Sequence, residues 1–216
     1  MMPMLNVIWV PAITRAGGVA KDDVEAAKWW RKAAEQNDAV AQSNLGTACG
    51  KGEGVTKNEV EAVKWFRKAA QQNDADAQRN LGVCYRNGLG VTKNEVEAVK
   101  WLRKAAEQDD AGAQSILGAC YHDGRGVAKD EVEAVKWFRK AAEQNDADAQ
   151  HNLGACYVNG AGVAKNYIEA RKWLALAADQ GDKDAKQNLP LLDLEMTPEQ
   201  IAQAQQLARE FKPRKE

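Results

Sequence analysis

Apolar residues recur with helical spacing along most of the chain. In the stretch 75–110, Ala77, Leu81 and Tyr85 lie at i, i+4 and i+8, which places them on one face of a first helix. A second apolar face follows, made of Ala98, Trp101, Leu102 and Ala105. Charged residues occupy the positions between, where they point to water. The pattern therefore predicts two amphipathic helices in this stretch.

Capping residues mark where each helix begins. Asp74 precedes the first helix as an N-cap, and the pair Gly88 and Gly90 follows it. The second helix begins at Asn94, with Glu97 three residues later, the spacing of a capping box. The same spacing recurs as Asp22 with Glu25, Asn58 with Glu61, Asp130 with Glu133 and Asn166 with Glu169. We therefore expect every repeat of this pattern to be a pair of capped helices.

The pattern repeats every 36 residues. Tryptophan recurs in register as Trp29, Trp65, Trp101, Trp137 and Trp173, and leucine as Leu45, Leu81, Leu117, Leu153 and Leu189. A fixed period of this size is typical of a solenoid, in which each unit buries its apolar face against its neighbours. The tryptophans are then expected to be buried packing residues rather than ligand-stacking platforms.

Composition and charge exclude several classes of protein. The 216 residues include 30 Lys and Arg against 31 Asp and Glu, with a formal net charge of -1. This balance offers no basic stripe for nucleic acid, and no apolar run approaches the roughly 20 residues that a membrane span needs. Neither nucleic acid nor a membrane is expected as a partner.

The repeated motif resembles a known family. The string AxAQxxLGxxYxxGxGV, followed by AVKWxxKAAEQ, is similar to the Sel1-like repeat, a relative of the tetratricopeptide repeat. This resemblance implies an all-α fold, a right-handed α-α superhelix of 36-residue helix-turn-helix repeats. We expect a half repeat at 21–38, full repeats at 39–74, 75–110, 111–146 and 147–182, and a C-terminal half repeat with a capping helix at 183–216.

The two ends depart from the repeat. Residues 1–20 are expected to form a degenerate first unit, because Pro11 falls inside the expected helix. A relic of a secretory leader is the alternative, although no Lys or Arg precedes the apolar stretch. Near the other end, Thr197, Pro198 and Gln200 predict a capped final helix that runs to about Phe211 and covers the last core.

The sequence offers no assembled catalytic or metal site. Cys84, Cys120 and Cys156 are equivalents one repeat apart, too far for disulfides, and are expected to be buried thiols, as is Cys49. His122 and His151 differ by seven residues in phase, about 10 Å along a helix, so they are not expected to form a metal pair. The GxG motif follows no strand, which favours a helix-to-helix loop over a phosphate cradle. We expect no enzyme activity and no cofactor.

Sequence variation between repeats is concentrated in the first helix. Repeats 75–110 and 111–146 differ at 11 positions, of which 9 lie in the first 20 residues. Positions that only pack would stay alike after duplication, whereas positions that contact a partner would be free to differ. Drift at exposed sites is the alternative explanation.

The resemblance to tetratricopeptide repeats also implies where a partner would bind. The groove positions of that family fall on the first helix of each repeat, which would line a concave surface. They correspond here to Asp76, Arg79, Val83, Arg86 and Asn87, then to Gly112, Ser115, Ala119, His122 and Asp123, and then to Asp148, His151, Ala155, Val158 and Asn159. Leu89 and Arg125 would extend the rim. The two arginines of the first set suit a carboxylate, and His122 suits a pH-dependent contact.

The expected function is therefore a non-enzymatic scaffold or adaptor that binds a protein or peptide in this concave groove, in the cytoplasm. One alternative is a structural protein that self-associates through its N-terminal end, where the degenerate unit would leave a helix pair uncovered. A second is a β-lactam-binding or hydrolysing protein, an activity attributed to the cysteine-rich branch of the family. The paired cysteines of that branch are absent from this sequence.

Overall fold

Residues 22–214 form eleven α-helices and no strand in the computed structural model, which describes this part of the chain. The all-helical fold predicted from the sequence is thereby confirmed. The helices are α1 (Asp23–Glu35), α2 (Ala39–Lys51), α3 (Glu59–Gln71), α4 (Ala75–Asn87), α5 (Glu95–Glu107), α6 (Ala111–Asp123), α7 (Glu131–Glu143), α8 (Ala147–Asn159), α9 (Tyr167–Asp179), α10 (Lys183–Asp193) and α11 (Pro198–Glu210). The expected degenerate unit at 1–20 and the alternative of a leader relic lie outside the described residues.

The predicted caps of the first helices are confirmed. The carboxylate of Asp110 accepts a hydrogen bond from the backbone N–H of Ala113 at 2.6 Å, which satisfies one of the orphan donors of α6. At the other end of that helix, Gly124 adopts a left-handed conformation with a φ of 72°. Such a conformation favours glycine because it has no Cβ. The same Asp and Gly pair bounds α2, α4 and α8.

The second helices are capped differently from the predicted capping box. The Asp130 carboxylate accepts from the N–H of Glu133 as expected. The backbone N–H of Asp130, however, donates to the carbonyl of Tyr121 at 3.0 Å, near the end of the preceding helix. This bond ties the interhelical loop back onto α6, and Asn58, Asn94 and Asn166 make the same bond to their preceding helices.

The chain divides into two compact units, residues 1–104 and 105–216. Within the first unit α2 packs against α1, α3 and α4, and α3 packs against α4. Within the second unit α6 packs against α7 and α8, α7 against α8, and α8 against α9. Each unit is thus a series of helix pairs in which a helix contacts both its partner and the neighbouring repeat.

Glycine on the first helix allows the two helices of one repeat to approach closely. A Cβ built on Gly118 of α6 would lie 2.7 Å from the ring of Phe138 on α7, and a Cβ on Gly82 would meet Leu102 at the same distance. Gly46 and Gly154 are placed in the same way against Phe66 and Leu174. The large side chain of the second helix therefore occupies the space that a first-helix side chain would fill.

The tryptophans are less buried than the sequence pattern predicts. Trp29 is 38% exposed, and Trp65, Trp101 and Trp137 are half-buried. Among the five in register only Trp173 is buried. In the last four of these repeats the next residue along the chain is buried and faces a glycine, as Phe138 does. A lysine one turn later covers the exposed ring, and Lys68 Nζ lies 4.3 Å from the Trp65 ring centroid.

A row of buried glutamines was missed by sequence analysis. Gln114 on α6 is fully buried, and its amide donates to the carbonyl of Ala106 and to Asp109 at 3.1 Å each. Its side-chain oxygen accepts from Gln144, which follows α7. The glutamine in each AxAQ motif, at 42, 78, 114 and 150, is buried in the same position. Gln42, Gln114 and Gln150 each connect the start of their own first helix to the ends of the helices on either side.

The C-terminal cap forms as predicted. Thr197 and Gln200 make a reciprocal capping box, with Pro198 in the first turn of α11. This helix packs against α9, and the Phe211 ring lies 5.5 Å from the Trp173 ring in an edge-on arrangement. The backbone N–H of Arg214 then donates to the carbonyl of Glu143 at 2.8 Å. The final described residues therefore lie against the end of α7.

Candidate functional site

Within each unit two first helices are in contact, and the predicted groove positions are distributed over α4, α6 and α8. In the first unit α2 contacts α4, and in the second unit α6 contacts α8. We use the term first-helix surface for the positions predicted from the resemblance. In the first unit Asp76 and Asn87 are exposed, Val83 and Arg86 are half-buried, and Leu89 is exposed in the loop. Arg79 forms a 2.6 Å ion pair with Asp76.

The side chain at one of the predicted positions lies between two repeats rather than on an open surface. Ser115 is only 7% exposed, and its hydroxyl bonds to Asp146, the cap of α8. One repeat later, His151 Nδ1 lies 3.2 Å from Asp182, the cap of α10. Ser115 was expected to line the groove; this expectation is corrected, because its side chain is used between two helices.

The pKa values of Asp146 and Asp182, the caps of α8 and α10, are shifted in opposite directions. Burial raises the pKa of Asp146, and hydrogen bonds from the Ala149 N–H and the Ser115 hydroxyl oppose this effect in part. Burial also acts to raise the pKa of Asp182, but the N–H of Ala185 and the neighbouring His151 outweigh it, so that this pKa is lowered. The pKa of each cap therefore depends in part on the residue that contacts it from the preceding first helix, Ser115 for Asp146 and His151 for Asp182.

His122 and Glu131 close the surface between α6 and α7. His122 Nδ1 lies 2.6 Å from Glu131 Oε2, and Lys129 Nζ lies 2.7 Å from the other carboxylate oxygen. The hydrogen bond from Lys129, together with His122, holds the pKa of Glu131 below its ordinary value. Asp123 is exposed and pairs with Arg125 in the loop at 2.9 Å. His122 therefore already has a carboxylate partner within its own repeat.

Two crevices lie between first helices of the second unit. The one between α6 and α8 has a volume of about 80 Å³, and His122, Ala155 and Asn159 contribute to its lining. The other, between α8 and α10, has a volume of about 330 Å³. Its lining residues are Ala155, Val158, Asn159, Tyr167, Leu174, Asn188, Leu191, Leu192 and Glu195. Four predicted residues, His122, Ala155, Val158 and Asn159, thus border these crevices.

Sequence analysis missed the α10 side of the larger crevice. Leu191 and Glu195 lie 36 residues after Ala155 and Asn159, so the repeat itself could have identified them. The predicted set ended with the last full repeat because α10 has lost the Leu-Gly pair, which reads Leu189-Pro190 here. Asp148 remains exposed and Gly112 and Ala119 remain half-buried, as surface positions on α8 and α6.

The cysteines are buried free thiols, as expected. Cys49, Cys84, Cys120 and Cys156 all lie in the interior of the helix pairs. Burial raises the pKa of the Cys84 and Cys156 thiols to about 11. Such thiols carry little nucleophilic thiolate at neutral pH. Among residues 22–214, no group of three His, Cys, Asp or Glu side chains is arranged to hold a metal ion.

The length and the boundaries of the repeat agree with a family comparison. The family described as Sel1 repeat matches residues 15–38, 39–74, 75–110, 111–146 and 147–182. The chain belongs to the Sel1 repeat family. Members of this family are generally non-enzymatic scaffolds and typically bind proteins. No curated protein matches the sequence.

Solved structures of bacterial proteins are similar to this Sel1 repeat chain. One is c5321, a protective antigen of uropathogenic Escherichia coli with an SLR fold, at 37% identity and a TM-score of 0.86. The match covers 94% of this chain and 44% of that one, so the chain spans less than half of the antigen. A Sel1 repeat protein from Oxalobacter formigenes is also 37% identical, with a TM-score of 0.78, and 94% and 85% of the two chains are covered.

A more distant structure shares the fold alone. The immunity protein Pa5087 of Pseudomonas aeruginosa is 22% identical over 94% of this chain and 79% of its own, with a TM-score of 0.56.

Within the part of the chain that the structure describes, no helix combines the length and the apolar character needed to cross a membrane.

Proposed function

We propose that this Sel1 repeat protein is a non-enzymatic scaffold that binds a protein or peptide partner on its first-helix surface. The observation that carries the proposal is the coincidence of variation with accessibility. Repeats 75–110 and 111–146 differ mainly in their first helix and loop, and Asp76, Asn87 and Asp123 at these varying positions are exposed. Most positions that pack stay the same: the buried glutamine is present in both repeats, and the main exception is the exchange of Leu102 for Phe138.

The chemistry of this surface suits recognition of a polypeptide. It combines exposed carboxylates and amides, such as Asp123 and Asn159, with half-buried apolar side chains such as Val83 and Val158. Mixed polar and apolar contacts of this kind are typical of interfaces between proteins. The four buried thiols suit a reducing compartment, and we propose the cytoplasm as the location.

A pull-down from lysate with two charge-matched variants tests this proposal. The surface variant carries Asn87→Lys and Asp123→Lys, and the control variant carries Gln71→Lys and Glu107→Lys at exposed positions of second helices. Each variant adds three positive charges, so non-specific electrostatics are matched. Circular dichroism and thermal unfolding first establish that all three proteins are equally folded.

We expect a protein that wild type and control retain and the surface variant loses at least tenfold. Equal retention by all three baits would move the binding site away from the first-helix surface. If no bait retained a protein, the scaffold proposal would fail, and sedimentation at several concentrations would then test the alternative of self-association.

A further inference from the structure

The two crevices of the second unit are the same site in consecutive repeats, with different residues. For six of the seven lining residues of the smaller crevice, adding 36 to the number gives a residue that lines the larger one. The pairs are His122 and Val158, Phe138 and Leu174, Asn152 and Asn188, Ala155 and Leu191, Cys156 and Leu192, and Asn159 and Glu195. Comparison of the two crevices therefore shows, within one chain, the effect of each residue difference.

Loss of one polar side-chain contact distinguishes the larger crevice. In the smaller one, His122 Nδ1 lies 2.6 Å from Glu131 Oε2, so two polar side chains meet at its edge. The equivalent residues are Val158 and Tyr167, which form no ion pair, and both line the larger crevice. The volume is about 330 Å³ there, against about 80 Å³ in the preceding repeat. A crevice of 330 Å³ lies at the lower end of the range for ligand sites.

One apolar side chain of this crevice and one next to it in the sequence are unusually exposed. Leu191, which lines the crevice, is 64% exposed, and Leu194, which precedes the lining residue Glu195, is 81% exposed. These are the two most exposed large hydrophobic side chains of the described residues. Exposed apolar side chains grouped beside a crevice mark an interaction site more often than isolated ones do.

The charge and hydrogen-bonding groups at the rim indicate what would bind. Glu195 is the one charged residue among those that line the crevice, and it stands where the preceding repeat has the neutral Asn159. Its carboxylate complements a cation. The amides of Asn159 and Asn188 also line the crevice and offer both donors and acceptors, which suit the backbone of an extended peptide.

We propose that this crevice, between α8 and α10, binds a peptide segment of a partner protein that presents a large aliphatic or aromatic side chain next to a lysine or arginine. The apolar side chain enters between Val158, Tyr167 and Leu191, and the cation pairs with Glu195. The proposal rests on the scaffold function and names the class of its ligand and the place where that ligand is held.

Selection from a random 12-residue peptide library on the purified full chain tests the proposal. Wild type is expected to enrich peptides with Leu, Ile, Met, Phe or Trp beside Lys or Arg. A selected peptide, labelled with fluorescein and measured by anisotropy, should bind Glu195→Lys at least tenfold more weakly. The same peptide with its cation changed to Glu should recover binding to Glu195→Lys and lose it to wild type.

The preceding repeat supplies a matched second variant. Val158→His with Tyr167→Glu introduces the residue pair that closes the smaller crevice, at positions where the same fold already accepts it. This double variant should keep its helicity and lose affinity for the selected peptide at least tenfold. The exposed second-helix control, Gln71→Lys with Glu107→Lys, lies outside the first-helix surface and should leave the affinity unchanged.

Four results would overturn the proposal, and three of them come from the peptide experiments. Those three are the absence of any enriched peptide, enriched peptides without a basic residue, and an affinity that neither Glu195→Lys nor the double variant reduces. Self-association of wild type that Leu191→Asp abolishes would assign the crevice to a second copy and would also overturn it. If the pull-down client still depended on Asn87 and Asp123, the scaffold function would stand while this inference failed.

Discussion

The side-chain amide of Gln144 donates a 2.9 Å hydrogen bond to the side-chain oxygen of Gln114. Gln114 is fully buried, and its own amide donates to Ala106 and Asp109. One side chain thereby joins α6 to the segments that follow α5 and α7. Gln150 makes the equivalent bonds with Ala142, Asn145 and Gln180, so the arrangement repeats along the second unit.

The variant Gln114→Leu removes these bonds while keeping a side chain of similar size. Because it leaves buried polar partners unpaired, we expect the free energy of unfolding to fall by about 1–3 kcal/mol. Urea unfolding followed by circular dichroism measures this change. The control Gln203→Leu lies on the exposed face of α11 and should change the stability little. Equal effects of the two substitutions would show that the buried bonds contribute nothing specific.

Two helical glycines provide opposite predictions for the same substitution. A Cβ at position 118 would lie 2.7 Å from the Phe138 ring, so Gly118→Ala should destabilise the protein by about 1–3 kcal/mol. At Gly50 the nearest atom is 3.6 Å away, an ordinary contact, so Gly50→Ala should stabilise α2 by about 0.5–1 kcal/mol. Thermal unfolding of both variants checks the signs, and a stabilising Gly118→Ala would contradict the close approach of α6 and α7.

The caps Asp146 and Asp182 should respond to pH in opposite directions. The pKa of Asp182 is lowered from its ordinary value of 3.8, so its charged form stabilises the fold above that pH and loses this effect as the pH falls below it. The pKa of Asp146 is raised from 3.8, so its contribution is complete below that value and is lost as the pH rises through the raised pKa.

Asparagine variants make this comparison, because Asn is itself a good N-cap. Between pH 3 and pH 7, the destabilisation by Asp182→Asn should increase, whereas that by Asp146→Asn should decrease. Urea unfolding across this range measures both differences. Parallel pH profiles would mean that the pKa values of the two caps are not shifted in opposite directions.

The thiols should be protected in the folded protein. With a pKa of about 11, Cys84 and Cys156 carry a thiolate fraction at pH 8 that is roughly two hundred times lower than that of a free thiol. A chromogenic disulfide reagent should therefore react slowly with the native chain and release four equivalents in denaturant. The variant Gln203→Cys should add one fast equivalent, and a fast equivalent without it would show an accessible native cysteine.

Some of this site could be predicted from the sequence, and some could not. The half-buried position of Val158 and the exposed position of Asn159 agree with their phase in the repeat, because the spacing along a helix fixes the direction of each side chain. The phase of Ser115 in the repeat also predicts a surface position. Ser115 is nevertheless buried, and its hydroxyl bonds to Asp146 of the next repeat. The crevice beside Leu191 depends on two neighbouring helices, and no single-helix pattern contains that information.

The helices and their caps can be predicted from the sequence alone, because they depend on residues within a few positions of one another. The length of the repeat can be read from the sequence directly. Asp110 and Gly124 bound α6 through local hydrogen bonding and local backbone conformation. Other features follow only from the tertiary structure. Phe138 rather than Trp137 fills the space at Gly118, Gln114 joins three segments, and an open crevice lies beside Val158 and Tyr167. These outcomes depend on packing between helices, where the available volume and the partner of each polar group are set by residues distant in the chain.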